Sequence, residues 1–536
     1  MCILELFSNP QVAAVAMTKP TTEPAVSQQE VLGFLGGLRC PDGSPVVQID
    51  THGAAVFLQG NRVLKIKRAI KFPFLDYSTL QKRQRACEQE LAVGRRFAPA
   101  IYRRVVPICR SVSGVLEIDG DGPVVEWAVE MSRFDESRTL DHLASAGPLG
   151  SELVDAIADA IAASHRAAPL AATAPWIASI EPILADNSSE LADGGFDAEH
   201  VAAIDQSSRT ALAKLRGLLE RRGAAGFVRW CHGDLHLANI VVIDDKPTLF
   251  DAIEFDPAIA SVDVLYDLAF PLMDLLHYGR GSDSTQLLNR YLAVTADDNV
   301  DALAALPLLL SMRAAIRAKV MLARPAADEP TRRANRAGAE SYFNLALRLI
   351  APPPARLVAV GGLSGTGKSV LARMLSGHVA PLPGAVVLRS DIVRKRLFGA
   401  ADTERLPAAA YAADVTEKVY RSLADRAGQI LKQGHSVIVD AVFSKPEERH
   451  AIEAVATGHA VPFHGLFLTA DIGTRIARVA GRVGDASDAT PEIVRQQQSY
   501  ASGAIGWTTI DASGTPAETL ARALTALPQN DQVCST

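Results

Sequence analysis

The chain is poor in the features that mark secreted, membrane-spanning or nucleic-acid-coating proteins. Its six cysteines, Cys2, Cys40, Cys87, Cys109, Cys231 and Cys534, are scattered without a CxxC spacing. That excludes a disulfide scaffold and a thiolate zinc site, and points to a reducing compartment. Long apolar runs are missing too: stretches such as 302–312, broken by Pro307, are too short to cross a bilayer. Residues 1–17 have no basic residue before Lys19 and no sustained apolar run, so they do not read as a signal peptide. Met17 is an alternative start, and a cytoplasmic protein is expected. Basic charge is not in excess, the formal net charge being -6, and no aromatic stripe offers itself to stacked bases. Together these argue against nucleic acid as a partner.

What the chain does have is apolar residue enough, 48% of 536, for more than one core. Residues 1–30 read as a flexible leader, and helix signals begin near Val31. The sequence Ala351-Pro352-Pro353-Pro354-Ala355 denies helix and sheet alike and forms a stiff linker over 351–355. Before it, residues 54–58, 63–66, 105–109 and 124–131 predict strands around a charged helix near 82–97. From 140 to 349 the period is helical, as in 153–166, 201–222 and 303–320. After it, strands at 357–360, 385–389, 436–439 and 465–469 alternate with helices at 368–377, a long one ending at 433, 472–482 and 516–527. The last has Thr515 placed to cap it. The expected architecture is two domains of α+β and α/β class. Residues 31–350 form a bilobal unit, a small β-rich lobe and a larger α-rich lobe. Residues 356–528 form a parallel α/β sheet, followed by a tail at 529–536.

Residues 362–369, Gly-Leu-Ser-Gly-Thr-Gly-Lys-Ser, match GxxxxGK[ST] in full between a predicted strand and a predicted helix, the setting in which this pattern cradles phosphate. Gly362, Gly365 and Gly367 let the loop fold back so that its amides, with Ser364 and Thr366 among the binding residues, face phosphate oxygens. Lys368 reaches the β- and γ-phosphates and Ser369 ligates magnesium. ATP and Mg2+ are therefore the expected cofactors. Asp391, in Arg389-Ser390-Asp391-Ile392-Val393-Arg394, falls at the carboxyl end of the next strand, where α/β sheets hold ligands. It is suited to bind or deprotonate an acceptor hydroxyl, the alternative being a helix cap with a surface ion pair to Arg394. Asp440 ends a further apolar strand, a position for holding magnesium or its waters. Arg475, Arg478 and Arg482 recur on one helix face leading into Gly484-Asp485-Ala486-Ser487-Asp488. This suits a lid over phosphates, or a solvated basic stripe.

Over about residues 356–526 these motifs resemble P-loop kinases of the gluconate kinase, polynucleotide kinase and zeta-toxin kind. The resemblance implies that Asp391 is the substrate-binding general base and Arg394 its neighbouring arginine.

The second constellation is Cys231-His232-Gly233-Asp234-Leu235-His236-Leu237-Ala238-Asn239-Ile240, followed by Leu249-Phe250-Asp251. Phosphoryl transfer of the kinase type needs such a set: an acid to take the hydroxyl proton, then an amide and a carboxylate to hold magnesium. It also needs a strand lysine, supplied by Lys65, and a helical acid, supplied by Glu90 with Glu88 as competitor. The turn 51–55 around His52 would cover the phosphates, and Glu130-Met131 would form the hinge beside adenine. HGDxHxxN with the later Asp resembles the aminoglycoside phosphotransferase and choline-kinase-like family over roughly residues 45–340. By that resemblance Asp234 is the catalytic base, Asn239 and Asp251 are magnesium ligands, and His232 is a scaffold residue. A single glycine near His52 is a poor match to the family's Gly-rich loop.

Residues 61–110 hold 13 Lys/Arg against 3 Asp/Glu, and residues 241–300 hold 11 Asp/Glu against 3 Lys/Arg. The first suits nucleotide phosphate or a solvated face, the second a cationic or polyhydroxylated acceptor. The whole resembles bacterial fusions of an aminoglycoside phosphotransferase module with an ATP-binding one. It implies a bifunctional ATP-dependent kinase acting on small-molecule hydroxyls. Two other readings are an N-terminal pseudokinase sensor regulating the P-loop domain, and 5′-hydroxyl phosphorylation of nucleic acid by that domain.

Overall fold

The computed structural model describes residues 28–528 except 52, 73–74, 296–298, 482–485 and 501–502. The leader up to residue 27, the tail from 529, His52 and Arg482 lie outside the described residues. Contacts divide the chain into two compact units, one of residues 1–149, 159–278 and 309–347, the other of 150–158, 279–308 and 348–536. Residues 279–308 thus group with the C-terminal unit although they precede the three prolines.

In the first unit the strands are β1 (Val47–Asp50), β2 (Ala54–Gln59), β3 (Arg62–Lys67), a short hairpin of β4 (Lys71–Phe72) and β5 (Leu75–Asp76), then β6 (Tyr102–Arg110), β7 (Leu116–Ile118) and β8 (Val124–Ser132). Six of them form an antiparallel sheet in the order β1-β2-β3-β8-β6-β7. Strand β3 shows what alternation achieves. Leu64 and Ile66 enter a core with Ala55, Phe57, Val106 and Ile108, closed by Val31 and Leu35 of the helix Gln28–Gly37. Lys65 and Lys67 therefore emerge together on the other face. There the helix Leu80–Phe97 buries Cys87 with Ile101, Tyr102 and Val129, and brings in Glu90, only 2% exposed.

The larger lobe is helical, with Thr173–Asp193 packed on Ala198–Ala224 and an almost wholly buried helix Val264–His277. It also holds β9 (Val228–Trp230), β10 (Ile240–Ile243), β11 (Lys246–Leu249) and β12 (Ser261–Asp263), paired antiparallel as β9 with β12 and β10 with β11. Asp244 and Asp245 turn that second hairpin with φ of 47° and 58°, the two-residue turn whose twist matches its strands.

In the second unit β13 (Leu357–Gly362), β14 (Val386–Arg389), β15 (Val437–Asp440), β16 (Phe463–Thr469) and β17 (Thr508–Asp511) are all parallel, in the order β14-β15-β13-β16-β17. Consecutive strands β13 and β14 are not neighbours, so the order reverses at β13 and opens a crevice at the carboxyl ends. The helices Lys368–Ser376 and Pro516–Ala526 bury Leu371, Leu375 and Ala523 against Val358, Val360, Ile438 and Leu466. Thr515 and Glu518 cap the second of these reciprocally, with Pro516 at its start, as expected. The long helix expected to end at 433 is instead two, Ser390–Leu397 and Ala413–Lys432. Gly399 takes a φ of 64° after the first, and Pro407 stands in the connection, so the helical ladder is broken between them. No described helix is long and apolar enough to cross a membrane.

Candidate active sites

The first site is built on a buried chain of alternating charges. The Lys65 ammonium lies 2.8 Å from both Glu90 and Asp251. Glu90 extends its other oxygen to Lys67 at 2.6 Å, and Lys67 continues to Glu254. Burial alone would depress the Lys65 ammonium, but Asp251 and Glu90 outweigh it and hold the group well above its ordinary value. Burial would likewise raise Asp251, and Lys65 reverses this, leaving the carboxylate below its usual range. Glu88, the competitor for the helical acid, is exposed and bonds Gln84. Two lysines against three carboxylates leave the chain one negative charge in excess, a surplus that a divalent cation would offset. The donor set therefore fits magnesium at Asp251.

Between β9 and β10 runs the segment holding Asp234. Asn239 donates its amide to the Asp234 backbone oxygen at 2.9 Å and lies 3.4 Å from the carboxylate, while His236 Nε2 stands 3.6 Å away. Burial pushes the Asp234 carboxyl up to about 7, with Arg317 and Arg313 opposing and Asp251 assisting. Such a group is poised to take a proton near neutral pH. His232 serves as scaffold: Nε2 meets the Phe250 carbonyl at 2.9 Å, and burial lowers the imidazole below its ordinary value. Gly233 adopts a φ of 84°, and a Cβ there would stand 2.9 Å from Ile253 and 3.1 Å from Ala260. A side chain is thus excluded where protein kinases carry arginine.

Sequence reasoning missed what holds this segment. Asp267 accepts from the Gly233 and His232 amides at 2.8 and 3.3 Å and faces His165 Nε2 at 3.1 Å. Asp274 accepts from the Leu237 amide at 3.1 Å and the Tyr342 hydroxyl at 2.9 Å. Two acids seven apart in the apolar helix Val264–His277 share one face, and that was the available signal. His165, Cys231 and Asp267 come within 4.8 Å of one another. Asp267 is committed to hydrogen bonds, and burial raises the Cys231 thiol well above its ordinary value, so the trio is a buttress rather than a metal centre. Glu130 is spent on Arg62 at 2.9 Å and Arg104 at 3.1 Å. Met131 pairs with Val63 inside the sheet, one residue before β8 ends.

The second site lies at the reversal of strand order. Gly362, Gly365 and Gly367 take φ of 134°, 85° and 95°, which folds the loop back over the start of helix Lys368–Ser376. A Cβ on Gly365 would stand 2.5 Å from the Arg475 carbonyl. Lys368 Nζ lies 3.2 Å from the Leu363 carbonyl, and Ser369 donates its hydroxyl to Asp440 at 2.5 Å, so hydroxyl and carboxylate stand together as a magnesium site requires. The Asp391 carboxyl is pushed up by burial and by Asp440, against Lys368 and Arg389. Arg394 donates to the Ala410 carbonyl at 2.6 Å and lies over the Tyr411 ring.

Of the arginines expected on a lid, Arg475 and Arg478 bond carbonyls of the phosphate loop. Arg475 donates to the Ser364 carbonyl at 2.8 Å, and Arg478 donates to the carbonyls of Gly514 at 2.7 Å and Thr366 at 3.5 Å. Gln497, unanticipated, accepts from the Ser364 amide at 2.7 Å and donates to its hydroxyl at 3.0 Å.

The chain matches the family model described as phosphotransferase enzyme family over residues 53–306 and that of an AAA domain over residues 357–503. It therefore joins a phosphotransferase-family domain to a P-loop kinase domain and is an ATP-dependent phosphotransferase. An uncharacterized protein of Mycobacterium tuberculosis (strain ATCC 25618 / H37Rv) is 29% identical over 454 residues, 83% of this chain and 88% of that one. One of Mycobacterium bovis matches equally. Among solved structures, a choline/ethanolamine kinase family protein from Mesorhizobium loti is similar over 60% of this chain and 98% of its own, at 13% identity and a TM-score of 0.36. A gluconokinase from Sinorhizobium meliloti is similar over 33% and 94%, at 20% identity and 0.25.

Proposed function

We propose that each unit moves the γ-phosphate of ATP to a hydroxyl of a small molecule, with Asp234 as base in the first and Asp391 in the second. The observation that carries this is the ion chain on Lys65. It ties a strand lysine, a helical acid and Asp251 together beside a carboxyl near neutrality, an outlay of buried charge that a binding module has no use for. Asp234 takes the acceptor proton as the hydroxyl oxygen bonds to the γ-phosphorus, and the bridging bond to the β-phosphate breaks with its electrons leaving on ADP. Lys65 and Lys368 orient phosphate oxygens. Asn239 and Asp251 in one site, Ser369 and Asp440 in the other, would hold Mg2+, which supplies charge neutralisation on ATP. The small-molecule acceptors belong to the same proposal. Separate loss of two ATP-derived product sets in Asp234→Asn and Lys368→Ala tests it.

A further inference from the structure

The P-loop sheet has an open edge at β14, and what covers it is not a strand. Val386 donates its amide to Ser436 at 2.9 Å on the β15 side, so by alternation the Ala385 carbonyl and the Val387 amide point outward, the groups that another strand would pair. Asn289, on the helix Gly281–Val294 of the same unit, meets both. Its Nδ2 donates to the Ala385 carbonyl at 3.0 Å, and its Oδ1 accepts from the Val387 amide at 2.8 Å. A primary amide carries one donor side and one acceptor in the arrangement of a peptide unit, so this side chain acts as a single residue of a missing strand. The same helix adds two further ties. Thr285 donates its hydroxyl to the Pro383 carbonyl, and Arg396 donates to the Ala293 carbonyl at 3.2 Å.

This edge leads into the second site. Strand β14 ends at Arg389, Ser390 and Asp391 follow at once, and Arg389 Nε stands 3.5 Å from Asp440. The phosphate loop, by contrast, follows β13, two strands away. We infer that Asn289 is a positioning residue of the P-loop kinase site, holding the strand that presents Asp391, although it falls within residues 53–306, the span that matches the phosphotransferase family. The inference rests on the reading of Asp391 as the acceptor-side base. Asn289 would set the register of Asp391 against the acceptor and leave nucleotide binding to the loop. The second unit is then incomplete when cut at the prolines, because the helix Gly281–Val294, whose Asn289 covers its edge strand, precedes them.

The test uses the full chain with Asn289→Ala, which removes both bonds, and Asn289→Asp, which keeps the acceptor for Val387 and loses the donor. Amide hydrogen exchange is read at Val387, binding of fluorescently labelled ADP with magnesium is titrated, and ATP-derived products from a pooled bacterial metabolite extract are followed. In Asn289→Ala, protection of Val387 and the product lost in Lys368→Ala are each expected to fall about tenfold, with ADP affinity changed less than about twofold and the Asp234-dependent product unchanged. Asn289→Asp should fall between it and the wild type. Unchanged exchange at Val387, or a parallel fall in ADP affinity and in both products, would overturn the inference. If the wild type yields no Lys368-dependent product, the kinase reading fails by itself, and exchange at Val387 and through 386–391 still decides whether Asn289 holds the strand.

Discussion

Replacing the proposed base Asp234 by asparagine should make the first unit more stable while ending its chemistry. In the folded chain, burial drives this carboxyl from 3.8 to about 7. An acid raised in this way ionises first in the unfolded chain, which therefore holds fewer protons between the two values. Stability falls as pH rises through that window, and the whole cost is present above about 7. A shift of about three units corresponds to about 4 kcal/mol at about pH 8.5, and about 2 kcal/mol at about pH 5.5, where the folded carboxyl is still protonated. Asparagine has the same shape and no charge to bury, and it leaves intact the Asn239 bond to the residue 234 backbone. The assay is urea unfolding followed by hydrogen exchange of residues 228–250, so that the transition of this segment is the one read. Asp234→Asn should gain stability at both pH values and gain more at the higher, while its phosphoryl transfer drops by a factor of about 100 to 10,000. A gain that is absent, or the same at both pH values, would refute the claim that the wild-type carboxyl is held near neutrality.

Three further outcomes are expected. Lys67→Met strands Glu90 and Glu254 and should cost about 3–5 kcal/mol in urea unfolding. Adding Glu254→Gln should cost less than the sum of the single changes, and strict additivity would contradict the pairing. Gln497→Ala loosens the phosphate loop at Ser364 and should raise the KM for ATP of Lys368-dependent ATP hydrolysis about tenfold with a smaller change in kcat, so an unchanged KM would remove Gln497 from the site. Ser369→Ala should raise the magnesium concentration for half-maximal activity of the same reaction about tenfold. An unaltered magnesium requirement would show that the Ser369 and Asp440 pair does not hold the ion.

Much of this arrangement could be read before any coordinates. Short apolar stretches gave β2, β3, β6 and β8, and the loop 362–369 announced its own strand and helix, because local rules dictate both. Strands β1, β7 and β17 escaped, being short and largely exposed edges that bury too little to leave a pattern. Lys65 and Glu90 were found because a kinase-type site calls for a strand lysine and a helical acid, whereas Lys67 was lost in a basic run that looked like a solvated face. Only the packing of helix Leu80–Phe97 shows that Lys67 is buried. The arginine stripe at 475 and 478 was visible, but its contacts with the carbonyls of Ser364 and Thr366 were not, since a helix face does not reveal what it meets. Gln497 and Asn289 act across 133 and 98 residues, and no local signal reports contacts at that separation.

The most direct test is to incubate the wild type, Asp234→Asn and Lys368→Ala with magnesium, labelled ATP and a pooled bacterial metabolite extract, and to follow phosphorylated products by mass spectrometry. Two product sets, each lost in one variant and retained in the other, are predicted. A single set lost in both, or products that survive both changes, would contradict two independent phosphotransferase sites.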